Sequence, residues 1–346
     1  MKPVLTFRGK TASFKMEKRM VWRLALLLAA VLCACVLGPS LGNKIIHPIE
    51  VIQIMFGTGT GGDYFIINNS RLPRTLVSLL VGAALGVSGV ILQGVVRNPL
   101  AAPDIIGITG GASVAAIAFL TYAAGSSVGI KWLPVAAITG ALLMSILLYV
   151  LAWKKGVTPI RLVLIGIGIA AIMSAGTTFM IVASSSVAAG QAYLWLTGSI
   201  YGASWEDIYI MFPVVFLLTP FALVFSKSLN AQQFGDDTAE GLGVRMQRDR
   251  FTLLFISVVL AGTAVAVVGA IGFVGLIAPH IARVLVGRTF GGLITASALV
   301  GALLLFAADV TARTIFYPID VPAGVFTAGV GAPFFLYLLY RNRNQL

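Results

Sequence analysis

The sequence predicts an all-α polytopic membrane protein: a ten-helix transmembrane bundle with a weak inverted repeat and both termini cytoplasmic. Three observations predict it. Of 346 residues, 58% are hydrophobic and only 10% charged, with a mean hydropathy of +0.97; a soluble domain would carry about a quarter charged residues. Apolar runs of about 20 residues, long enough to cross a bilayer, recur from end to end. The basic residues sit mostly in the short polar gaps between those runs, the pattern of a topology signal. The short alternating segments of a transmembrane β-barrel are absent.

Residues 1–20 read as a basic cytoplasmic tail, and 21–342 as a single ten-span domain. Within the tail, Gly9-Lys10-Thr11 is no phosphate loop, because Val4 stands where the motif needs its first glycine. The first run, near 21–40, holds both cysteines, Cys33 and Cys35, with no histidine or acid beside them. They read as apolar packing groups, and further spans argue against a cleaved leader. An outside segment, 41–73, follows; its Gly57-Thr58-Gly59-Thr60-Gly61-Gly62 run lacks the Lys-Ser/Thr ending of a phosphate loop and reads as a flexible loop.

The second run, 74–96, carries Gly82, Gly86, Gly89 and Gly94, small residues that let helices approach closely. Runs near 106–124, 132–153 and 160–183 come next. The outside segment 184–205 holds Trp195 and Trp205, expected as interfacial anchors. After the run 206–226 comes the largest inside loop, 227–250, with both charge signs, a short helix-compatible stretch and an apolar Leu242-Gly243-Val244 step, a composition suited to docking a partner. The remaining runs lie near 251–271, 274–287, 293–312 and 324–340. The eighth is short and interrupted by Pro279, which is acceptable where a broken helix faces protein or a water-filled path.

Placing the N-terminus inside puts nineteen of the 24 Lys and Arg residues on the cytoplasmic side, leaving Lys44, Arg71, Arg74, Lys131 and Arg313 outside. The second run with its exit, "GAALGVSGVILQGVVRNPLAAPDIIG", loosely parallels the seventh, "AGTAVAVVGAIGFVGLIAPHIARVLVG". By this topology the two run in opposite directions, as in many transporters.

The net charge of +12 is spread along the chain and not gathered into an aromatic-interleaved patch, which argues against nucleic acid as a partner. No Walker loop, zinc motif or nucleophile triad spacing is present, so no catalytic residue, metal ligand or cofactor is assigned. His47 lies in an outside loop, and His280 follows Pro279 and is expected to satisfy a broken helix end. Ion-coupled transporters keep acids inside the membrane. Here Asp309 is the one candidate, and it could instead neutralise Arg313 at i,i+4. With neither a relay nor an ATPase motif, energy is expected to arrive from another subunit.

A series of ordered motifs then becomes decisive: Arg71-Leu-Pro-Arg74; Gly82-Ala-Ala-Leu85 with Ser88-Gly89; Gln93; Asn98-Pro-Leu-Ala101 with Pro103; Gly269-Ala-Ile-Gly-Phe-Val-Gly-Leu-Ile277; Pro279-His280 and Arg283; Asp309 with Arg313; and Gly331-Ala-Pro-Phe334. Over residues 20–342 the chain strongly resembles the permease subunits of ABC importers for ferric siderophores, haem and cobalamin, often called the FecCD family.

The resemblance implies a multi-pass permease of the bacterial cytoplasmic membrane. Its partners would be a second permease subunit (the same chain or a paralogue), two ATPase subunits and an extracytoplasmic substrate-binding protein, with a ferric siderophore as the substrate. It further implies that Arg71, Arg74 and Arg313 meet glutamates of the binding protein. Thr238, Ala239, Glu240, Gly241, Leu242, Gly243 and Val244 would couple to the ATPase. Asn98 and Leu100, with Thr158, Pro159 and Ile160, would form the cytoplasmic gate, although Pro159 and Ile160 depart from the small hydroxylated residues found there in one branch. Asp320, in "DVPAG", stands where many relatives have glutamate. Cobalamin or haem as the cargo, and an ion-coupled carrier acting alone, are the alternatives.

Overall fold

A computed structural model describes residues 4–8, 13–58, 62–104, 107–122 and 129–342. Lys2, the Gly9-Lys10-Thr11 step, Gly59 to Gly61 and Arg343 lie outside the described residues. Each of the ten apolar runs is a helix: α1 (Lys18–Ser40), α4 (Leu72–Val96), α5 (Ile108–Tyr122), α6 (Leu133–Ala152), α7 (Pro159–Ala183), α9 (Trp205–Val224), α12 (Met246–Val268), α13 (Val274–Val286), α14 (Phe290–Ile315) and α15 (Ala323–Asn342). Between them lie short helices that hydropathy does not announce: α2 (Pro48–Met55), α3 (Gly62–Ile66), α8 (Ser186–Thr197), α10 (Ser226–Gln232) and α11 (Asp236–Gly241). Among the described residues, eight helices are long and apolar enough to cross a membrane, while Ile108–Tyr122 and Val274–Val286 are shorter. The 13 residues of α13 rise only about 20 Å at ~1.5 Å per residue. The irregular stretch from Gly269 to Phe273 precedes it, with Phe273 at φ 66°.

In the basic tail, β1 (Val4–Arg8) and β2 (Ser13–Glu17) pair antiparallel, with Leu5 opposite Met16 and Phe7 opposite Phe14. The apolar residues alternate at period 2, which suits a strand and escapes a search for apolar runs. The segment 41–73 is also largely helical. From Asp63 to Val96 the helix is continuous, passing through a π turn at Ile67–Arg71. Pro73 has no N–H for the carbonyl four residues back, and the widened turn sits where the ladder loses that bond.

Helix ends follow local chemistry. Pro134 and Pro159 occupy the second and first helical positions, where the missing N–H would be unpaired anyway. The His47 ring accepts the Ile49 N–H at 3.4 Å to cap α2. Asp207 accepts the Ser204 backbone N–H at 2.8 Å at the start of α9.

The core is built around α4, which is buried along almost its whole length. Its glycines set the spacing: a methyl group at Gly82 would run into the Gly301 carbonyl, one at Gly86 into the Ser297 carbonyl, and one at Gly89 into the Gly275 carbonyl. α14 and α13 therefore touch α4 backbone to backbone. The hydroxyls of Ser88 and Ser257, 2.7 Å apart, tie α4 to α12. The exits of the second and seventh runs meet in space, where Asp104 accepts the Phe273 backbone N–H and the Thr109 hydroxyl at 2.7 Å. Outside this core, α1, α7 and α9 expose large apolar side chains such as Leu26, Leu28, Ile167, Phe216 and Leu217, the surface that a membrane protein turns to lipid. Cys33 and Cys35 are free thiols on α1.

Candidate functional site at the two ends of the central helix

At the N-terminal end of α4 the sequence places two arginines one helical turn apart, and both point inward. Arg71 is 6% exposed and donates to the Pro39 carbonyl and to Asn43 Oδ1, each at 3.0 Å. Arg74 Nε donates to Asp309 Oδ1 at 2.8 Å. Its two Nη groups grip both oxygens of Asp320, at 2.5 and 2.9 Å, the forked geometry that makes guanidinium–carboxylate pairs strong. Arg313 donates to the Gly38 carbonyl at 2.7 Å and stands 3.7 Å from Asp309 Oδ2. Asp309 is 1% exposed. Arg74 and Arg313 thus meet two carboxylates, while Arg71, within Coulombic reach of Arg313, bonds neutral oxygens and adds one excess positive charge. The i,i+4 contact of Asp309 with Arg313 is present but long; Arg74 is the closer partner. Asp320 opens the cluster to the surface, with its side chain 26% exposed. Beside it Lys44 pairs with Asp63 at 2.6 Å.

At the other end of α4, Arg97 adopts a left-handed conformation, φ 55°, and turns the chain into Asn98, whose Oδ1 accepts the Leu100 N–H at 2.9 Å. The 227–250 loop is not irregular. After α10 it forms α11, bounded by Gly235 at φ 107° and Gly243 at φ 84°. Val244 N–H bonds the Ala239 carbonyl at 3.0 Å and Gly243 N–H the Glu240 carbonyl at 2.9 Å, which is a Schellman ending that needs glycine at the left-handed position. Ala239 packs inward, while Thr238, Glu240, Gly241, Leu242 and Gly243 are exposed and Val244 is half-buried. A cleft of about 550 Å³ opens beside α11, lined by Phe225, Lys227, Leu242, Val244 and Arg245 among others.

Asp236, the first residue of α11, bonds Arg97 and also Arg250 Nη2, the latter at 2.7 Å. Arg250 is fully buried and donates through Nη1 to the Val157 carbonyl at 2.8 Å, while Gln247 Oε1 accepts the Val157 N–H at 2.9 Å. Burial, and then the charge of Arg250, push Arg97 below the usual arginine range.

The FecCD transport family model matches residues 26–341. The chain is 45% identical over 342 residues to the "Probable siderophore transport system permease protein YfhA" of Bacillus subtilis, covering 97% of this chain and 98% of that one. It is 44% identical to the achromobactin transport system permease protein CbrC of Dickeya dadantii, covering 99% and 98%. A solved structure described as an inward-facing conformation of a metal-chelate type ABC transporter superposes with a TM-score of 0.80 at 30% identity, covering 93% of this chain and 99% of that chain. The chain belongs to the FecCD transport family.

In this FecCD chain the residues singled out from sequence fall into two groups. Arg71, Arg74 and Arg313 come together in one cluster. Asn98 and Leu100, Thr158 to Ile160, and Thr238 to Val244 lie on three segments that are joined through Asp236 and Arg250, neither of which the motifs single out. Thr158 N-caps α7 by position and Ile160 is exposed. Phe234, 75% exposed on the turn before α11, was also missed; a large apolar group in a charged loop was the available signal. Trp205 donates its indole N–H to the Asn68 carbonyl at 2.8 Å, and Trp195 is half-buried against the core, so both tryptophans hold the fold of the segments they lie in. His280 stacks edge-on to Phe334, with ring centres 5.3 Å apart. Among the described residues no group of His, Cys, Asp and Glu could hold a metal ion.

Proposed function

We propose that this FecCD chain is the permease subunit of an ATP-driven importer for a ferric siderophore, a ten-span protein of the bacterial cytoplasmic membrane with both termini inside. The observation that carries the reading is the near full-length similarity to siderophore permeases, joined to a bundle with no nucleotide or metal motif of its own. The chain supplies the path and gates, and conformational change is driven by subunits that bind one state better than another. Those subunits are a second permease copy or paralogue, two ATPase subunits and an extracytoplasmic binding protein.

In this reading Thr238 to Val244 dock on the ATPase, which the exposed Leu242 and its rigid Schellman turn support. Asn98, Leu100, Thr158, Pro159 and Ile160 form the cytoplasmic gate. Arg71, Arg74 and Arg313 form the docking frame for the binding protein. One unbalanced guanidinium beside the partly exposed Asp320 attracts an incoming glutamate and steers its approach. Neutralising Arg71 and Arg313 together to Gln is expected to weaken capture of the binding protein by the assembled transporter at least tenfold and to flatten its salt dependence. Capture unchanged in both affinity and salt slope would remove the docking role. The pairing of Asp309 with Arg74 also speaks against that acid as a coupling-ion site in a carrier acting alone.

The experiment for the substrate is uptake of radiolabelled iron, supplied as a panel of ferric siderophores, in cells with and without this chain. Loss of uptake for one chelate class on deletion, restored by the gene in trans, is the expected result. Full uptake across the panel without any redundant permease would move the cargo to haem or cobalamin. Uptake that persists without an ATPase but fails when the membrane potential collapses would overturn the ATP-driven reading.

A further inference from the structure

Val157, Asn98 and α11 belong to three separate connections between helices, yet a single carboxylate lies between them. Asp236 begins α11 and bonds Arg97, the residue before Asn98. It also bonds Arg250 at 2.7 Å, and Arg250 holds the Val157 carbonyl, the residue before Thr158, at 2.8 Å. Val157 is fixed on its other side as well, since its N–H donates to Gln247 of the same α12 turn. The neighbouring Gly156 has no room for a side chain, because a methyl group there would lie 2.6 Å from Gln247 Nε2. Arg250 has 0% of its side chain exposed while Asp236 is 35% exposed, so the charge-assisted bond is shielded from water on the arginine side and open to it on the carboxylate side.

We infer that Asp236 and Arg250 are positioning residues that transmit the movement of α11 to both gate segments, so that α11, Asn98–Leu100 and Thr158–Ile160 move as one block. The inference rests on the proposed reading of α11 as the ATPase-docking element and of these segments as the gate. Geometry supports a stiff link at each step. Asp236 is itself the first residue of α11 and moves with it, Arg250 reaches Val157 directly, and Arg97 sits in a tight left-handed turn leading into Asn98. A partner that pushes on the exposed Leu242 face therefore moves Asp236, and Asp236 cannot move without either carrying both arginines along or leaving the buried Arg250 with a carbonyl but no carboxylate partner. Loss of the carboxylate removes that constraint while leaving the exposed docking face of α11 unchanged.

The test uses the assembled transporter, purified through a tag on this chain and reconstituted in liposomes, with iron uptake and ATP hydrolysis measured together. Asp236→Asn is expected to retain association with the ATPase and hydrolysis within about twofold, while uptake per ATP falls at least fivefold. Asp236→Glu is expected to recover most of that ratio, which a purely structural role would not predict. Uptake and hydrolysis falling in proportion, a wild-type ratio in Asp236→Asn, or loss of ATPase association would each overturn the inference. If Asp236→Asn does not accumulate in the membrane, Arg97→Gln, on the more exposed side of the same bridge, decides on the same ratio. A wild-type complex lacking either ATPase association or uptake would instead refute the parent reading, so the two failures are distinguishable.

Discussion

Replacing Arg74 with Leu is expected to destabilise the protein by about 3–5 kcal/mol, the cost typical of removing one partner from a buried ion pair. The residue left behind decides the size of the effect. Asp309 is 1% exposed, and without Arg74 its nearest cation is Arg313, 3.7 Å away and already bonded to the Gly38 carbonyl. Asp320, more exposed, can turn to water; Asp309 cannot. The double substitution Arg74→Leu with Asp309→Asn is therefore expected to recover a large part of the loss, because the uncompensated charge is gone. Thermal midpoints of the detergent-solubilised single and double variants check this. A double variant no more stable than Arg74→Leu would show that packing around the guanidinium stem, not the stranded carboxylate, sets the cost.

The second large effect is expected at the contact of α4 with α14. Gly82→Ala adds one methyl group, and that group meets the carbonyl of Gly301, a backbone atom that cannot rotate away. Overpacking a filled core costs about 1–3 kcal/mol, sometimes more, and the upper end applies because the two helices must part along their length. Gly168→Ala, in α7, is the control: it too is helical, but nothing lies within 4 Å of the added methyl. Alanine is intrinsically better in a helix by about 1 kcal/mol, so this variant is expected to be neutral or slightly more stable. Paired thermal melts of the two variants measure the difference, and equal midpoints would dismiss the backbone contact as the origin of α4's glycines.

Those two sites mark what could be read directly from residues and what could not. The long helices were legible because a bilayer demands continuous apolar length. The ends of eight of the ten runs lie within three residues of the helices observed, while the helix of the second reaches back to Asp63 and that of the seventh to Met246. Gly82, Gly86 and Gly89 were legible as close-packing residues but not their partners, since Gly301, Ser297 and Gly275 lie nearly 200 residues or more away. The short helices α2 and α8 were hidden because they are too short or too polar to stand out in hydropathy, whereas the 227–250 loop showed a short helix-compatible stretch where α11 forms. Arg71, Arg74 and Arg313 stood out as basic residues on the outer side. That they are buried and that Arg74 is shared by Asp309 and Asp320 follows from contacts spanning 235 and 246 positions, which no local spacing encodes. The same limit applies at the inner end. Asp236 and Arg250 both lie in the conspicuous loop, but nothing in its pattern ties them to Arg97 and Val157.

The glycine contacts along α4 also limit how this bundle can change shape. Where side chains separate two helices, the axes can draw nearer or drift apart as rotamers adjust. Where carbonyl oxygen already rests against Cα, as at Gly82 and Gly301, there is no further approach to make, and separation would open a slot too narrow for any side chain present to fill. Such a pair can roll or slide but not breathe. Whatever change of shape the bundle undergoes, the spacing of α4 and α14 is fixed within it, and only their relative roll and slide are left free.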